Sequence, residues 1–188
     1  MNKKLITAAS IALAACVAIG GTIAYLTDNA SVKNTFTVGN VNISLQETEG
    51  ESQADSRQFS VAPGQTTPKD PKVWVESGSE KAYLFVKVEN TTKTATTDPA
   101  ITYAIANNGW TELAESSGVY YRVVETTQQG DNNAFSVFEQ DKVTASADIR
   151  SGETIEGDIT VKAYAIQYSG FENDPQSAWE TVTAAERA

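Results

Sequence analysis

Short segments of alternating apolar and polar residues run through most of this chain, and they predict β-strands. From residue 35 onward the sequence is rich in Thr, Val, Tyr and Phe, the residue types that fit a pleated sheet. The clearest predicted strands are residues 73–75, 82–88, 119–124 and 159–166. Residues 82–88 are almost continuously apolar, which is typical of a central strand covered on both faces.

Turn signals separate these segments, and the chain ends differently. Pro63-Gly64, residues 107–109 (Asn-Asn-Gly) and Gly152 mark turns, so about eight to ten short strands are expected. Asp174-Pro175 predicts the start of a helix, with Asp as the N-cap and Pro at the first position. Ala178, Trp179 and Val182 would share one face of this helix. The whole pattern predicts an all-β, antiparallel β-sandwich with a short C-terminal helix.

The start of the chain has the pattern of an export signal. Lys3 and Lys4 precede an uncharged apolar run over residues 5–26. The run is also long enough to span a bilayer as a helix. Gly20 and Gly21 weaken a helix at its end, and this favours a cleaved signal peptide over a retained anchor.

Cys16 is the only cysteine, and it lies inside the apolar run. Residues 13–16 (Leu-Ala-Ala-Cys) match a lipoprotein box, in which Cys16 would be acylated. The sequence after Cys16 remains apolar, however, where a lipoprotein normally has a polar tether. Cys16 is therefore either a lipidation site or simply a small apolar residue of the signal. In either case no disulfide can form within the rest of the chain.

A β-patterned stretch, residues 35–45, follows the signal. Its apolar side chains are Phe36, Val38, Val41, Ile43 and Leu45. The first two share one parity and the last three share the other. A change of register is therefore expected at residues 39–40, as a bulge or a twist. Residues 46–57 are polar and acidic, and we interpret them as a loop.

The composition excludes several kinds of chemistry. The chain contains no histidine, which excludes histidine-ligated zinc and every nucleophile that a histidine activates. The charged residues are 24 acidic and 14 basic, with a net charge of −10. Such a surface repels nucleic acid and anionic lipid. We expect no cofactor, no catalytic residue and no metal ligand.

Two clusters of candidate ligand-binding residues also have a structural interpretation. Residues 131–133 (Asp-Asn-Asn) have the character of calcium ligands, but the EF-hand glycine and glutamate are missing at their spacing, which favours a polar turn. Five aromatic residues could form a carbohydrate platform, although packing in the core is the simpler interpretation. They are Trp74, Trp110, Tyr120, Tyr121 and Trp179.

The N-terminal residues resemble those of a known family. Residues 21–28 (Gly-Thr-Ile-Ala-Tyr-Leu-Thr-Asp) and 34–41 (Asn-Thr-Phe-Thr-Val-Gly-Asn-Val) are similar to the start of the TasA and camelysin proteins. These are exported Gram-positive proteins processed by a dedicated signal peptidase, SipW. Softer similarities to clostridial members of the group extend along the body. They comprise residues 63–64, 69–71, 82–88, 110, 118–121, 163–167 and 179.

The resemblance implies a jelly-roll-like sandwich and a role in extracellular biofilm fibres. It implies cleavage near Tyr25-Leu26, where Leu26 replaces the more usual Phe. The expected division is a signal-peptide helix over residues 1–25, an N-terminal strand region over 26–48 and a sandwich domain over 49–188. In TasA-like fibres the N-terminal strand of one subunit completes the sheet of the next, by strand addition.

Several functions therefore remain open. In the fibre hypothesis, the five apolar side chains of residues 35–45 are the anchors of a donated strand, and the chain associates with itself and with other matrix proteins. In its structural alternative, the same residues form the first strand of a monomeric sandwich. A surface-anchored ligand-binding module, lipidated at Cys16, is the second function. Camelysins have been described as metallopeptidases, which is the third. Contact with a membrane is expected only through the signal or a lipid anchor.

The state of Cys16 can be tested on the exported form of the protein. We expect its intact mass to correspond to a chain that begins at about Leu26 and has no acyl group, because the apolar run reads as a cleaved signal. Mass spectrometry of protein purified from the medium and from the cell surface measures this directly. A diacyl adduct on Cys16 would contradict cleavage after Tyr25.

Overall fold

Eleven strands, one 3-10 helix and one α-helix form the part of the chain that the computed structural model describes. That part comprises residues 35–38, 41–47, 62–125, 133–150 and 152–186, with the backbone alone for residues 35–38, 47 and 186. The strands are β1 (Thr35–Val38), β2 (Ile43–Glu47), β3 (Thr66–Pro68), β4 (Pro71–Val75), β5 (Ala82–Asn90), β6 (Ile101–Thr102), β7 (Thr111–Glu112), β8 (Val119–Val124), β9 (Asn133–Ser136), β10 (Lys142–Ala145) and β11 (Ile159–Gln167). The 3-10 helix is Glu139–Asp141 and α1 is Pro175–Glu186. The predicted signal helix and the cleavage position lie outside the described residues.

The strands form three sheets. The largest has the order β1-β11-β5-β8-β7, and the two smaller sheets are β2-β4-β9 and β3-β10-β6. This confirms the all-β class. The expectation of antiparallel pairing needs one correction, because β1 runs parallel to β11. The two strands come from opposite ends of the described chain, so their connection is long enough for a parallel pair.

The centre of the large sheet is the pair β5–β11. Nine consecutive residue pairs join the two strands, from Ile159 opposite Asn90 to Gln167 opposite Ala82. Tyr83 and Phe85 of β5 point to one face of the sheet, and Leu84 and Val86 point to the other; all four are buried. The predicted central strand is therefore confirmed.

A different layer covers each face of this sheet. On one face, Leu84 and Val86 pack in a buried cluster with residues of β2 and β4 from the second sheet. On the opposite face, Tyr83 and Phe85 pack in a second cluster with α1. The molecule is thus a sandwich with an additional helical layer, and β5 is covered on both sides because its sequence is apolar at both parities.

The C-terminal helix begins and packs as its sequence predicts. The backbone N–H of Ser177 donates to Asp174 Oδ1 at 3.0 Å, so Asp174 caps the helix that Pro175 begins. Ala178, Trp179 and Val182 are buried against the large sheet. The Trp179 ring lies 5.4 Å from that of Phe85, centroid to centroid. Among the described residues, no helix is long and apolar enough to cross a bilayer.

The loop-rich middle of the chain differs from its prediction. The alternation of Ile101, Tyr103 and Ile105 predicts one continuous strand. In the structure only Ile101–Thr102 form a strand, and Ile105 makes an isolated bridge with Phe138. The described residues include eleven strands, more than the eight to ten expected. The excess includes β7, which has two residues and is too short for any periodic pattern to show.

Candidate functional site

The N-terminal segment comprises β1, β2 and the described residues 41–42 between them. The candidate site is the groove that holds this segment. β1 pairs with the edge of the large sheet, with Thr35 opposite Ala163 and Val38 opposite Ile166. β2 pairs with the edge of the second sheet, antiparallel to β4, with Ile43 opposite Val75. One short segment therefore closes one edge of each of the two layers of the sandwich.

The side chains of the segment's second half are deeply buried. Val41, Ile43 and Leu45 are 1%, 7% and 4% exposed. They belong to the same cluster as Val73 and Val75 of β4 and as Ala163 and Ala165 of β11. Asn42, Ser44 and Gln46, which alternate with them, face outward or are half-buried. The groove thus accepts an aliphatic side chain from every second residue, as strand-accepting sites do.

A tight turn of the body holds the backbone of Asn42. In this turn, residues 76–79, the Ser79 N–H donates to the Glu76 carbonyl oxygen at 3.2 Å. Gly78 has φ +86°, a value that a glycine adopts without strain at the third position of such a turn. The turn directs Ser79 inward, where it is fully buried.

Three hydrogen bonds join this turn to Asn42. The Asn42 N–H donates to Ser79 Oγ at 3.1 Å. Ser79 Oγ in turn donates to the Asn42 carbonyl oxygen at 3.3 Å, and the Glu76 N–H donates to the same oxygen at 2.8 Å. All three contacts reach main-chain atoms, so the turn recognises an extended backbone whatever its side chains are.

The predicted anchors of residues 35–45 do not all behave alike. Val41, Ile43 and Leu45 fill the core of their own chain. Phe36 and Val38 lie in β1, where the backbone alone is described. The expected change of register at residues 39–40 lies outside the described residues. The opposite parities on its two sides belong to two strands in two different sheets.

The five candidate aromatic residues do not form a common platform. Tyr121 and Trp179 pack on the helical face of the large sheet. Trp110 and Tyr120 pack against the opposite cluster. Trp74 alternates with the buried Val73 and Val75 and is half-buried on the outer face of its sheet. The packing interpretation therefore fits these residues better than a single carbohydrate surface.

Two residues that join parts of the fold have no clear signal in the sequence. The Arg122 guanidinium lies 3.7 Å from the centre of the Phe135 ring and 5.5 Å from that of Trp110. It links β8 of the large sheet to β9 of the second, and its burial lowers the pKa of Arg122. The second missed residue is Ser79. Its only sequence signal is the Ser-Gly-Ser turn at 77–79, which looks like an ordinary loop.

The first 70 residues of the chain match the family model described as camelysin metallo-endopeptidase. The resemblance to the TasA/camelysin-like group is confirmed. The match includes the predicted signal and the whole N-terminal segment, and it ends just before β4. No curated protein and no solved structure matches the chain. The softer similarities of the body beyond residue 70 therefore stay predictions.

The family description implies a metal, and the donor set of this chain does not fit the histidine-ligated zinc of common metallopeptidases. No histidine occurs anywhere in the sequence. Within the described ranges, no three Asp, Glu or Cys side chains come together as a metal site. Asp131 and Asn132, the calcium-like pair, lie outside those ranges, and Asn133 is the first residue of β9.

Two neighbouring substitutions in β2 test how much the burial of the segment in the groove stabilises the fold. Ile43→Ala should lower the free energy of unfolding by about 2–5 kcal/mol, because it leaves a cavity in the core. Ser44→Ala, one residue along and outside the core, should change it by no more than about 0.5 kcal/mol. Urea denaturation of both variants measures the difference. Equal effects would contradict the burial of this strand face.

Proposed function

We propose that the protein is an exported structural subunit that assembles into a cell-surface or biofilm-matrix fibre by N-terminal strand addition. The observation that carries the proposal is the position of the N-terminal segment. It lies at the edges of two sheets and its alternate side chains fill the core. Cleavage of the predicted signal would also leave it close to the new N-terminus. A segment of this kind can leave its own groove and enter an identical groove in another copy.

The exchange would conserve every contact of the segment. Backbone pairs with β11 and β4, the buried aliphatic side chains and the bonds to Asn42 would all form again in the neighbouring copy. This is the low-cost route by which domain swapping joins subunits. When each copy gives its segment to the next, the contact is head-to-tail and does not close, which produces a filament.

The connection between segment and body is long enough for this exchange. Residues 48–61 join β2 to the described body, and a chain of that length spans about 45–50 Å when extended. The span exceeds the width of a sandwich of two sheets packed about 10 Å apart. The segment can therefore reach a neighbouring copy without unfolding the rest of the sandwich.

Charge sets a condition on this assembly. Without the two lysines of the signal, twelve basic residues oppose 24 acidic ones, so exported copies repel one another. Salt screens such repulsion, with a Debye length of about 10 Å at 0.1 M ionic strength. Assembly is therefore expected to be faster at moderate salt than at very low salt.

Cysteine pairs can show where the segment binds, because the chain without its signal contains no cysteine. Gln46 of β2 lies opposite Lys72 of β4. Under oxidation, Gln46→Cys/Lys72→Cys should join neighbouring subunits of a fibre into a covalent ladder on a non-reducing gel. Lys87→Cys/Lys162→Cys, on the opposed strands β5 and β11, is the matched control and should cross-link only within one chain.

Electron microscopy of the same samples separates the two parts of the proposal. Fibres in which the Gln46–Lys72 pair closes only within single chains would reject strand addition but keep the fibre. Persistent monomers across pH and salt would reject the fibre. Persistent monomers would favour the alternative, a monomeric surface-anchored binding module. In that alternative Cys16 is the candidate lipidation site.

We also propose that the protein is not an enzyme, despite the name of the family that it resembles. The absence of histidine removes the usual zinc ligand and the usual general base of a peptidase. The purified protein is therefore expected to leave casein intact, with and without added divalent cations. Casein cleavage that a chelator abolishes would overturn this expectation. Cleavage that a chelator leaves unchanged would indicate a contaminating protease, which a mock purification identifies.

A further inference from the structure

We infer that Ser79 is the latch of the groove: a positioning residue that sets how long the N-terminal segment stays bound. The inference applies whether the segment belongs to the same copy or to a neighbouring copy. It rests on the proposed function only when the segment comes from a neighbouring copy. Nothing in the family match bears on Ser79, because the match ends at residue 70.

The two halves of the segment are not equally well held. β1 contributes four residue pairs with β11 at the edge of the large sheet. β2 contributes five pairs with β4, and three buried aliphatic side chains lie in and just before it. The bonds of the 76–79 turn to Asn42 lie just before β2, where the segment passes from one sheet towards the other. Release of β2 has to break these bonds.

The chemistry of the Ser79 hydroxyl explains its importance. It is fully buried, and it both accepts from the Asn42 N–H and donates to the Asn42 carbonyl oxygen. That oxygen keeps a second donor, the Glu76 N–H, when the hydroxyl is removed. The Asn42 N–H, in contrast, donates to Ser79 Oγ. Loss of the hydroxyl would therefore remove the acceptor of a part-buried N–H in the docked state, whereas in the open groove water can bond that N–H in either variant.

The expected effect is on opening rather than on the whole fold. Ser79→Ala should increase the open population of the segment by roughly two- to tenfold, the range that the loss of one part-buried hydrogen bond implies. β5 and β11 make their pairs elsewhere and should keep their protection. Ser79 is thus distinguished from an ordinary core residue by a local effect on residues 41–47.

Hydrogen exchange followed by mass spectrometry, on the exported full-length form, tests this inference. Residues 41–47 should exchange faster in Ser79→Ala, while residues 82–90 remain as in the parent protein. Ser77→Ala changes an exposed hydroxyl in the same turn and should leave both regions unchanged. Unchanged exchange of residues 41–47 in Ser79→Ala would refute the latch, and so would an equal increase in both regions.

A double-mutant cycle tests whether Ser79 acts through Asn42. Asn42→Pro removes the N–H that Ser79 accepts, and the Asn42 side chain is exposed. If the two residues act as one contact, the double variant should open no more than the more affected single variant. Additive effects would contradict the latch. If Ser79→Ala fails to fold, Ser79→Thr is the alternative variant, because it keeps the hydroxyl. It is expected to retain the protection of residues 41–47. Loss of that protection while β5 stays protected would refute the inference.

Assembly kinetics distinguish this inference from the proposed function. If both hold, Ser79→Ala exchanges faster in residues 41–47 and also forms fibres faster, because the segment is released more often. Faster exchange with an unchanged rate of fibre formation keeps the latch and rejects strand addition. Cross-linked ladders from the Gln46–Lys72 pair, combined with unchanged exchange in Ser79→Ala, keep strand addition and reject the latch.

Discussion

The rest of this structure depends on the nine-pair contact between β5 and β11, which is buried on both faces. Every other layer attaches to it. β1 pairs with the free side of β11, β8 pairs with the free side of β5, the second sheet covers one face and α1 covers the other. A fully buried Phe, Leu or Val contributes about 1.5–3 kcal/mol, so this pair concentrates much of the apolar burial in one place. It also leaves the N-terminal segment at the periphery, where its removal opens a groove without dividing the body.

The sequence predicts those elements whose signal lies within a few neighbouring residues. The continuous apolar run at 82–88 identifies a strand that is buried on both sides, and Asp174-Pro175 identifies the first residue of α1 because capping is local chemistry. The opposite parities of Phe36 and Ile43 also carried information. A single flat strand cannot place both on one face, and the structure separates them into two strands in two sheets.

The sequence does not show which segments pair with each other when they lie far apart along the chain. No pattern within residues 35–38 indicates that they pair in parallel with residues 163–166, since that choice depends on which edge the rest of the fold leaves free. Ser79 and Arg122 are similar cases. A serine in a Ser-Gly-Ser turn and an arginine in a strand look exposed until the fold brings Asn42 to one and the Phe135 ring to the other. The candidate site was therefore predictable as a segment, but its receptor was not.

The position of the N-terminal segment at one end of the chain has a consequence for any filament built by passing it onward. Each copy would give its segment to the next and receive one from the copy before it, so all subunits would point one way and the filament would have polarity. One end would expose an empty groove, lined by β4, β11 and the 76–79 turn, and the other would carry a segment with nothing to bind. These ends would differ chemically, so a molecule shaped to cap one of them would not fit the other.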